Sequence, residues 1–103
     1  MTYNLLIRPE ARLDILDAFK WYQARNIELG HDFKSCVDEV MSILQQNPNI
    51  YPKVYENIRR GFMKRFPFGI FYVVDNTTVI VLAVIHARRN PDTWKLRAPK
   101  HQQ

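Results

Sequence analysis

The hydrophobic positions at the start of the chain indicate a strand followed at once by a helix. Residues 3–7 form a short apolar run that ends at Arg8 and Pro9. Because proline fits the first turn of a helix, this run predicts a strand that passes directly into a helix reaching about Asn26. The apolar face of that helix, at helical spacing, consists of Ala11, Ile15, Ala18, Phe19 and Tyr22.

A second amphipathic helix is predicted over residues 31–47, after a break at residues 27–30. Asn47 and Pro48 end it. Because the connection is short, the two helices are expected to form an antiparallel hairpin that packs on a common sheet. The apolar positions of the second helix, at steps of three and four, are Phe33, Cys36, Val37, Val40, Met41 and Leu44.

Three further strands are predicted over residues 58–65, 68–74 and 78–86, the last two joined by a tight turn at residues 75–77. Hairpin connections make their pairing antiparallel. Strands that follow a helical hairpin, instead of alternating with helices, indicate an α+β fold. We expect an N-terminal strand and an antiparallel helical hairpin packed on one face of a small, mainly antiparallel sheet, in a single domain over residues 1–103.

The last predicted strand is apolar at every position from Val79 to Ile85. A strand with one face in water should alternate, so both of its faces must be covered. The helices cover one face. The other is covered by the C-terminal segment that carries Trp94, by a second copy of the chain, or by a partner segment, and the pattern does not choose among these.

The composition, 47% hydrophobic and 24% charged, is typical of a folded globular protein. No signal-like start and no apolar run of membrane-spanning length is present, so we expect a cytoplasmic protein without membrane contact. Cys36 is the only cysteine, which fits a reducing compartment. Neither a metal nor a cofactor is expected.

The positive charge of the chain lies in its second half. Up to Pro52, five Lys and Arg oppose seven Asp and Glu, a net charge of −2, whereas beyond it ten oppose three, a net charge of +7. Such a distribution indicates contact with a polyanion or with an acidic protein surface. A basic surface in contact with solvent alone is the other interpretation.

Four sequence blocks, in order and covering nearly the whole chain, carry a family resemblance. They are AFKWYQARNIELGHDF at residues 18–33, NP at 47–48, IRRGFMKRFPFGIFY at 58–72 and VLAVIHARRNPDTWKLR at 81–97. Together they resemble the RelE/ParE toxin superfamily, and within it the ParE-like branch.

The resemblance implies the toxin of a type II toxin–antitoxin system, a plasmid or chromosome stabilisation device that inhibits growth. Its activity would be neutralised by a cognate antitoxin that wraps around it, giving a toxin–antitoxin hetero-oligomer. Members similar to ParE interfere with DNA gyrase by binding, and members similar to RelE cut messenger RNA in the ribosome without a metal. Because the fold is shared, it does not decide between these targets or whether the chain is an enzyme.

A nuclease would need an acid–base pair and cations around the phosphate. The candidates for such a catalytic site are His86, Arg60 and Lys64. Since side chains alternate along a strand, Arg60 and Lys64 are predicted to share one face, and Arg59 and Arg65 the other. His86 could equally be a structural residue that closes the sheet.

The residues expected to contact a target or an antitoxin are Arg59, Arg60, Lys64, Arg65, Tyr72, Arg88, Arg89, Trp94 and Trp21. Several of them have a structural alternative. Tyr72 lies in an apolar run typical of a core, and Trp94 suits a packing anchor for the tail. Trp21 falls outside the predicted core face, as either a protein-contact anchor or a residue packed against the tail or Leu29.

The small number of acid–base candidates favours gyrase inhibition by binding over RelE-type cleavage. A member that still binds its antitoxin but has lost its toxicity is a third hypothesis.

Overall fold

The computed structural model describes residues 2–99. It confirms the predicted α+β fold, with two packed helices and a mainly antiparallel sheet. The elements in chain order are β1 (Asn4–Ile7), α1 (Pro9–Arg25), α2 (Ile27–Gln46), β2 (Lys53–Tyr55), β3 (Ile58–Phe62), β4 (Phe68–Asp75), β5 (Thr78–His86) and the short α3 (Asp92–Lys95).

The five strands form one sheet in the order β1-β5-β4-β3-β2. Among these five strands of residues 2–99, only β1 is parallel to its neighbour, with Asn4 opposite Thr78 and Ile7 opposite Val81. Because β1 has four residues and β5 has nine, β1 covers only the first half of β5. In the described part of the chain, residues 82–86 therefore have no strand on their β1 side.

The predicted break at residues 27–30 was wrong, because a single residue, Asn26, separates the two helices. Its backbone N–H donates to the Tyr22 carbonyl, and its side chain accepts from the Glu28 N–H at 2.8 Å. Asparagine is a preferred N-cap, so it can end one helix and begin the next. Gly30 lies within α2 at a close helix crossing, where a Cβ would stand 2.9 Å from the Gln23 Cβ.

The strand predicted over residues 58–65 was too long. β3 ends at Phe62, and the chain then bends, with Met63 and Phe66 turned into the core. The alternation predicted for Lys64 and Arg65 therefore does not apply, since neither residue is in a strand. The three-residue edge strand β2 was not predicted, because a run that short has no detectable period.

Two apolar layers hold the sheet. The layer between the sheet and the helices contains Phe33, Leu44, Ile70 and Tyr72, each 0% exposed. The opposite layer contains Phe71, Leu82 and Ile85, covered by Trp94. The Trp94 ring stacks on the Phe71 ring at 4.4 Å between centroids. Of the three predicted alternatives, the C-terminal segment of the same chain thus covers the second face of β5.

Within residues 2–99, no helix combines the length and the apolar character that crossing a membrane requires.

Candidate functional site

Two grooves flank the C-terminal end of β5. The edge groove, about 420 Å³, lies between α1 and the open side of β5. The sheet groove, about 240 Å³, lies on the face of the sheet that carries Trp94. The edge groove is lined by Asp14, Asp17, Ala18, Trp21, Tyr22, Phe68, Val84, Ile85, His86 and Arg89. The sheet groove is lined by Arg60, Phe62, Met63, Phe66, Pro67, Phe68, Gly69, Phe71, His86, Ala87, Arg89, Pro91 and Trp94.

His86, the last residue of β5, lines both grooves. Its Nδ1 accepts a hydrogen bond from the Arg88 backbone N–H at 3.0 Å, and its carbonyl accepts from the Arg89 N–H at 2.9 Å. The ring packs edge-on against Phe68. Because Nδ1 is an acceptor here, the neutral ring carries its proton on Nε2. These contacts are those of a residue that shapes the turn after β5, and they leave Nε2 for a ligand.

Arg60 lines the sheet groove together with His86 and Arg89. Its guanidinium lies over the Phe62 ring, 4.6 Å from the centroid. Its stem crosses Gly69, where a Cβ would stand 2.9 Å from the Arg60 Cδ. The buried Arg60 Nε has no hydrogen-bond partner in the part of the chain that the structure covers. The groove is thus a cationic pocket with aromatic walls.

Lys64 does not line either groove, so the three predicted catalytic residues are not brought together. Arg65 lies close to α2 instead, where it forms a 3.2 Å ion pair with Asp32. Arg88 is exposed beyond β5 and lines neither groove.

Arg59 and Tyr72 lie opposite each other on β3 and β4, on the helix side of the sheet. The Arg59 Nη1 donates to the Tyr51 carbonyl at 2.6 Å, and the Tyr72 hydroxyl donates to the Pro48 carbonyl at 2.5 Å. Burial raises the pKa of Tyr72 to about 12, although the Arg59 charge acts in the opposite direction. Both side chains therefore hold the loop before β2, and Tyr72 is inaccessible to a ligand.

The two tryptophans occupy contrasting positions. Trp94 is only 7% exposed and forms a wall of the sheet groove. Trp21 is 53% exposed and lines the edge groove, with the Arg25 guanidinium 3.4 Å from its ring centroid. The exposed face of Trp21 is thus available to a partner.

Asp14 and Arg97 form a connection that sequence reasoning missed. They make a 2.6 Å ion pair whose side chains are 15% and 22% exposed. The same Asp14 oxygen accepts from the Val84 N–H at 3.0 Å, and Arg97 Nη1 also donates to the Leu82 carbonyl. No local pattern could reveal this pair, because its members are 83 residues apart in sequence.

The chain is similar to known proteins over most of its length. A family model described as the ParE toxin of the type II toxin–antitoxin system parDE matches residues 5–91. Toxin ParE2 of Mycobacterium tuberculosis is 25% identical over 93 residues, which cover 89% of each chain.

Two solved structures share the fold. A chain of the chromosomal ParDE toxin–antitoxin system of P. aeruginosa superposes with a TM-score of 0.73 at 19% identity, over 82% of this chain and 96% of that one. A chain of the toxin–antitoxin complex RelBE2 of Mycobacterium tuberculosis gives a TM-score of 0.58 at 18% identity, over 84% and 99% of the two chains. Since the family model spans most of the sequence, the protein belongs to the ParE toxin family of type II toxin–antitoxin systems, within the RelE/ParE superfamily.

Proposed function

We propose that the protein inhibits DNA gyrase by binding to it, without catalysis, and that a cognate antitoxin neutralises this activity. The observation that supports the non-enzymatic part is the placement of the acid–base candidates, which are not assembled into one site. Tyr72 is bonded inside the core, Lys64 lies outside the grooves, and the His86 Nδ1 accepts a backbone hydrogen bond.

Cleavage of RNA requires one group to remove a proton from the attacking hydroxyl and another to protonate the leaving oxygen. In the sheet groove, the guanidinium groups of Arg60 and Arg89 are hydrogen-bond donors without an acceptor, and they can only bind the phosphate. His86 Nε2 would have to serve both proton transfers. Inhibition by binding needs no acid–base pair. The cationic sheet groove can serve such binding without a further catalytic group.

Gyrase as the target is supported by membership of the ParE family and by the charge distribution. Gyrase acts on DNA, and the half of the chain that contains β2 to β5 carries the net charge of +7. Positive charge on this surface favours association with a complex that contains a polyanion.

The test is a supercoiling assay with purified toxin, gyrase and relaxed plasmid. We expect the toxin to block supercoiling, and His86→Ala to retain most of that inhibition, because only contact area is lost. Full supercoiling activity at a large excess of folded toxin would contradict the gyrase proposal.

A second candidate is ribosome-dependent cleavage of messenger RNA, favoured by the meeting of Arg60, His86 and Arg89 in one groove. Primer extension on translated messages would detect the cuts, and His86→Ala should abolish them. His31→Ala is the matched control, since His31 is an exposed histidine on α2 outside both grooves. Intact messages in growth-arrested cells would eliminate this candidate.

Neutralisation by an antitoxin is supported by the toxin–antitoxin systems in which the two structural neighbours occur. It is also supported by exposed apolar side chains on α1, where Leu13, Leu16 and Trp21 are 59%, 44% and 53% exposed. Apolar surface of this kind marks protein-contact sites. Co-expression with the antitoxin encoded beside the toxin should restore growth and yield a complex that co-purifies. Failure of both would contradict neutralisation.

A further inference from the structure

The exposed edge of β5 begins at a bulge. The register between β4 and β5 shifts by one residue, and Leu82 has no opposite residue on β4. As a result Leu82 and Ala83, although consecutive, both belong to the apolar layer that Trp94 covers. β1 ends beside this bulge, because its last residue, Ile7, lies opposite Val81. Bulges of this kind are common at sheet edges, where they disrupt regular pairing.

The side chains of Asp14 and Arg97 bind the main-chain groups at this bulge. Arg97 Nη1 donates to the Leu82 carbonyl at 3.1 Å, and Asp14 Oδ2 accepts from the Val84 N–H at 3.0 Å. The two side chains are joined to each other by the 2.6 Å ion pair. In a parallel sheet, one residue of the next strand would donate and accept in the same two places. The ion pair thus takes the place of a strand residue where β1 has ended.

Beyond the ion pair, the edge of β5 offers few main-chain groups to a neighbouring strand. The Ala87 N–H donates to the Pro67 carbonyl, just before β4. Because bonding direction alternates along a strand, Val84 and His86 direct their main-chain groups away from β4. The His86 carbonyl accepts from the Arg89 N–H. Within residues 2–99, the Val84 carbonyl and the His86 N–H are thus left without a hydrogen-bond partner.

A strand edge without a neighbour is a template for pairing with another copy of the same chain. Two copies joined about a twofold axis would place their β5 strands antiparallel. With Val84 opposite its own equivalent, each Val84 N–H would donate to the other Val84 carbonyl, and each His86 N–H to the other Leu82 carbonyl. Every one of these hydrogen bonds needs either the Val84 N–H or the Leu82 carbonyl. Asp14 and Arg97 hold both of these groups.

A shorter contact between two copies stays possible along residues 82–86 while the ion pair is in place. If Ile85 lies at the twofold axis, each His86 N–H can donate to the Val84 carbonyl of the other copy. This register provides a single reciprocal pair of hydrogen bonds. Because isolated strand pairs are marginally stable in water even when longer, such a contact is too short to hold two copies together.

We propose that the Asp14–Arg97 pair keeps the toxin monomeric by occupying the edge of β5 that a second copy would otherwise bind. The two side chains are only 15% and 22% exposed, so salt and water screen their attraction weakly. Natural proteins use inward-pointing charges at a sheet edge to prevent edge-to-edge association. The pair also keeps the edge groove accessible, because a second copy on this edge would cover Trp21 and His86. The inference does not depend on the cellular target.

The oligomeric state of matched variants tests the proposal. Asp14→Ala/Arg97→Met frees both main-chain groups without leaving an unpaired charge. In sedimentation velocity over a concentration series, we expect the unmodified toxin to stay monomeric. The double variant should dimerise reversibly, with self-association at least about tenfold tighter, because hydrogen bonds become available. Asp17→Ala/Arg88→Met is the control, since it removes the same charges at exposed positions and should remain monomeric.

Amide hydrogen exchange locates the contact within the dimer. In the double variant, the Val84 and His86 amides should exchange at least about tenfold more slowly at high than at low protein concentration. In the unmodified toxin, the Val84 amide should be protected at every concentration, because Asp14 accepts from it. The His86 amide of the unmodified toxin should be unprotected throughout.

Three outcomes would overturn the proposal. The first is a folded double variant that stays monomeric at the highest concentration, and the second is an unmodified toxin that dimerises with a protected His86 amide. The third is a dimer of the double variant whose Val84 and His86 amides remain unprotected, since its contact would then lie elsewhere.

Circular dichroism establishes whether each variant is folded. If Asp14→Ala/Arg97→Met does not fold, Asp14→Leu/Arg97→Met replaces the ion pair by apolar side chains that fill more of its volume. Such replacements of a buried ion pair often preserve stability. The same sedimentation and exchange measurements, with the same expected results, then apply to this variant.

Discussion

Neighbouring residues of β3 differ in whether their side chains are accessible to a ligand. Arg59 and Arg60 are adjacent in sequence, but strand alternation sends them to opposite faces. Arg59 is bonded to the carbonyls of Tyr51 and Asn49, whereas Arg60 lies in the sheet groove. These two neighbouring candidates therefore have different roles, because Arg59 holds the loop before β2 and Arg60 lines a groove.

Tyr72 makes stability depend on pH in the alkaline range. Burial raises its pKa in the folded protein to about 12, against about 10 for an exposed tyrosine. Between these values the unfolded chain loses this proton and the folded chain keeps it. The free energy of unfolding should therefore be fully retained below pH 10 and fall by about 2–3 kcal/mol from this residue as the pH rises to 12.

Urea denaturation at several pH values measures this fall. Tyr72→Phe is the control, because it removes the titrating group and should make the slope between pH 10 and 12 shallower. The prediction fails if the variant and the unmodified protein show the same slope.

The two helices show how far a hydrophobic pattern can predict an element. The apolar period correctly located α2, because six or more positions recur on one face. The period did not locate the start of the helix, which lies at Ile27. Glycine has a low helix propensity, so Gly30 was interpreted as a break between the helices. Gly30 is needed because Gln23 of α1 leaves no room for a Cβ at this position. A contact between two helices leaves no pattern in the local sequence.

Gly30→Ala should therefore reverse the usual effect of this substitution. In an exposed helix interior the change would stabilise by up to about 1 kcal/mol. Here the added Cβ would stand 2.9 Å from the Gln23 Cβ, so the helices must separate, at a cost of about 1–3 kcal/mol. Thermal or urea denaturation measures the difference. Ser35→Ala, at an exposed position of α2, serves as the control and should change stability by less than about 0.5 kcal/mol. A stabilised Gly30→Ala variant would contradict the close crossing.

β5 illustrates the opposite case, in which the pattern was sufficient. Its bounds were predicted correctly, and its unbroken apolar run correctly required cover on both faces. What covers the second face was left open by the pattern. The stacking of Trp94 on Phe71 decided it, through a contact between residues in different elements.

Trp94→Ala should destabilise the whole molecule. Removing this largely buried ring uncovers the layer formed by Phe71, Leu82 and Ile85 and leaves a cavity. The expected loss is about 3–5 kcal/mol in the free energy of unfolding, measured by urea denaturation. Leu96→Ala, at a residue that is 85% exposed in the same segment, should have little effect. A loss below about 1 kcal/mol would show that the C-terminal segment does not cover the sheet.

The Asp14–Arg97 pair joins the first helix to the C-terminal segment across β5. Asp14→Ala leaves the Arg97 guanidinium and the Val84 N–H without their partner, so we expect a loss of about 2–4 kcal/mol. Asp17→Ala on the same helix is the matched control, since Asp17 is exposed and should change stability little. Equal stabilities of the two variants would contradict a structural role for the pair.

The sequence alone determined the α+β class, the helical hairpin, the bounds of β5, the basic second half and the family resemblance. These depend on periodicity, composition and ordered blocks, which are properties of contiguous residues. Only the tertiary structure decided that Arg60, His86 and Arg89 share a groove, that Lys64 does not, and that Asp14 and Arg97 join across β5. It also decided that half of β5 keeps an open edge, because the length of β1 relative to β5 matters only after the two strands pair. Contacts of this kind connect residues that are far apart in the chain, so no local pattern specifies them.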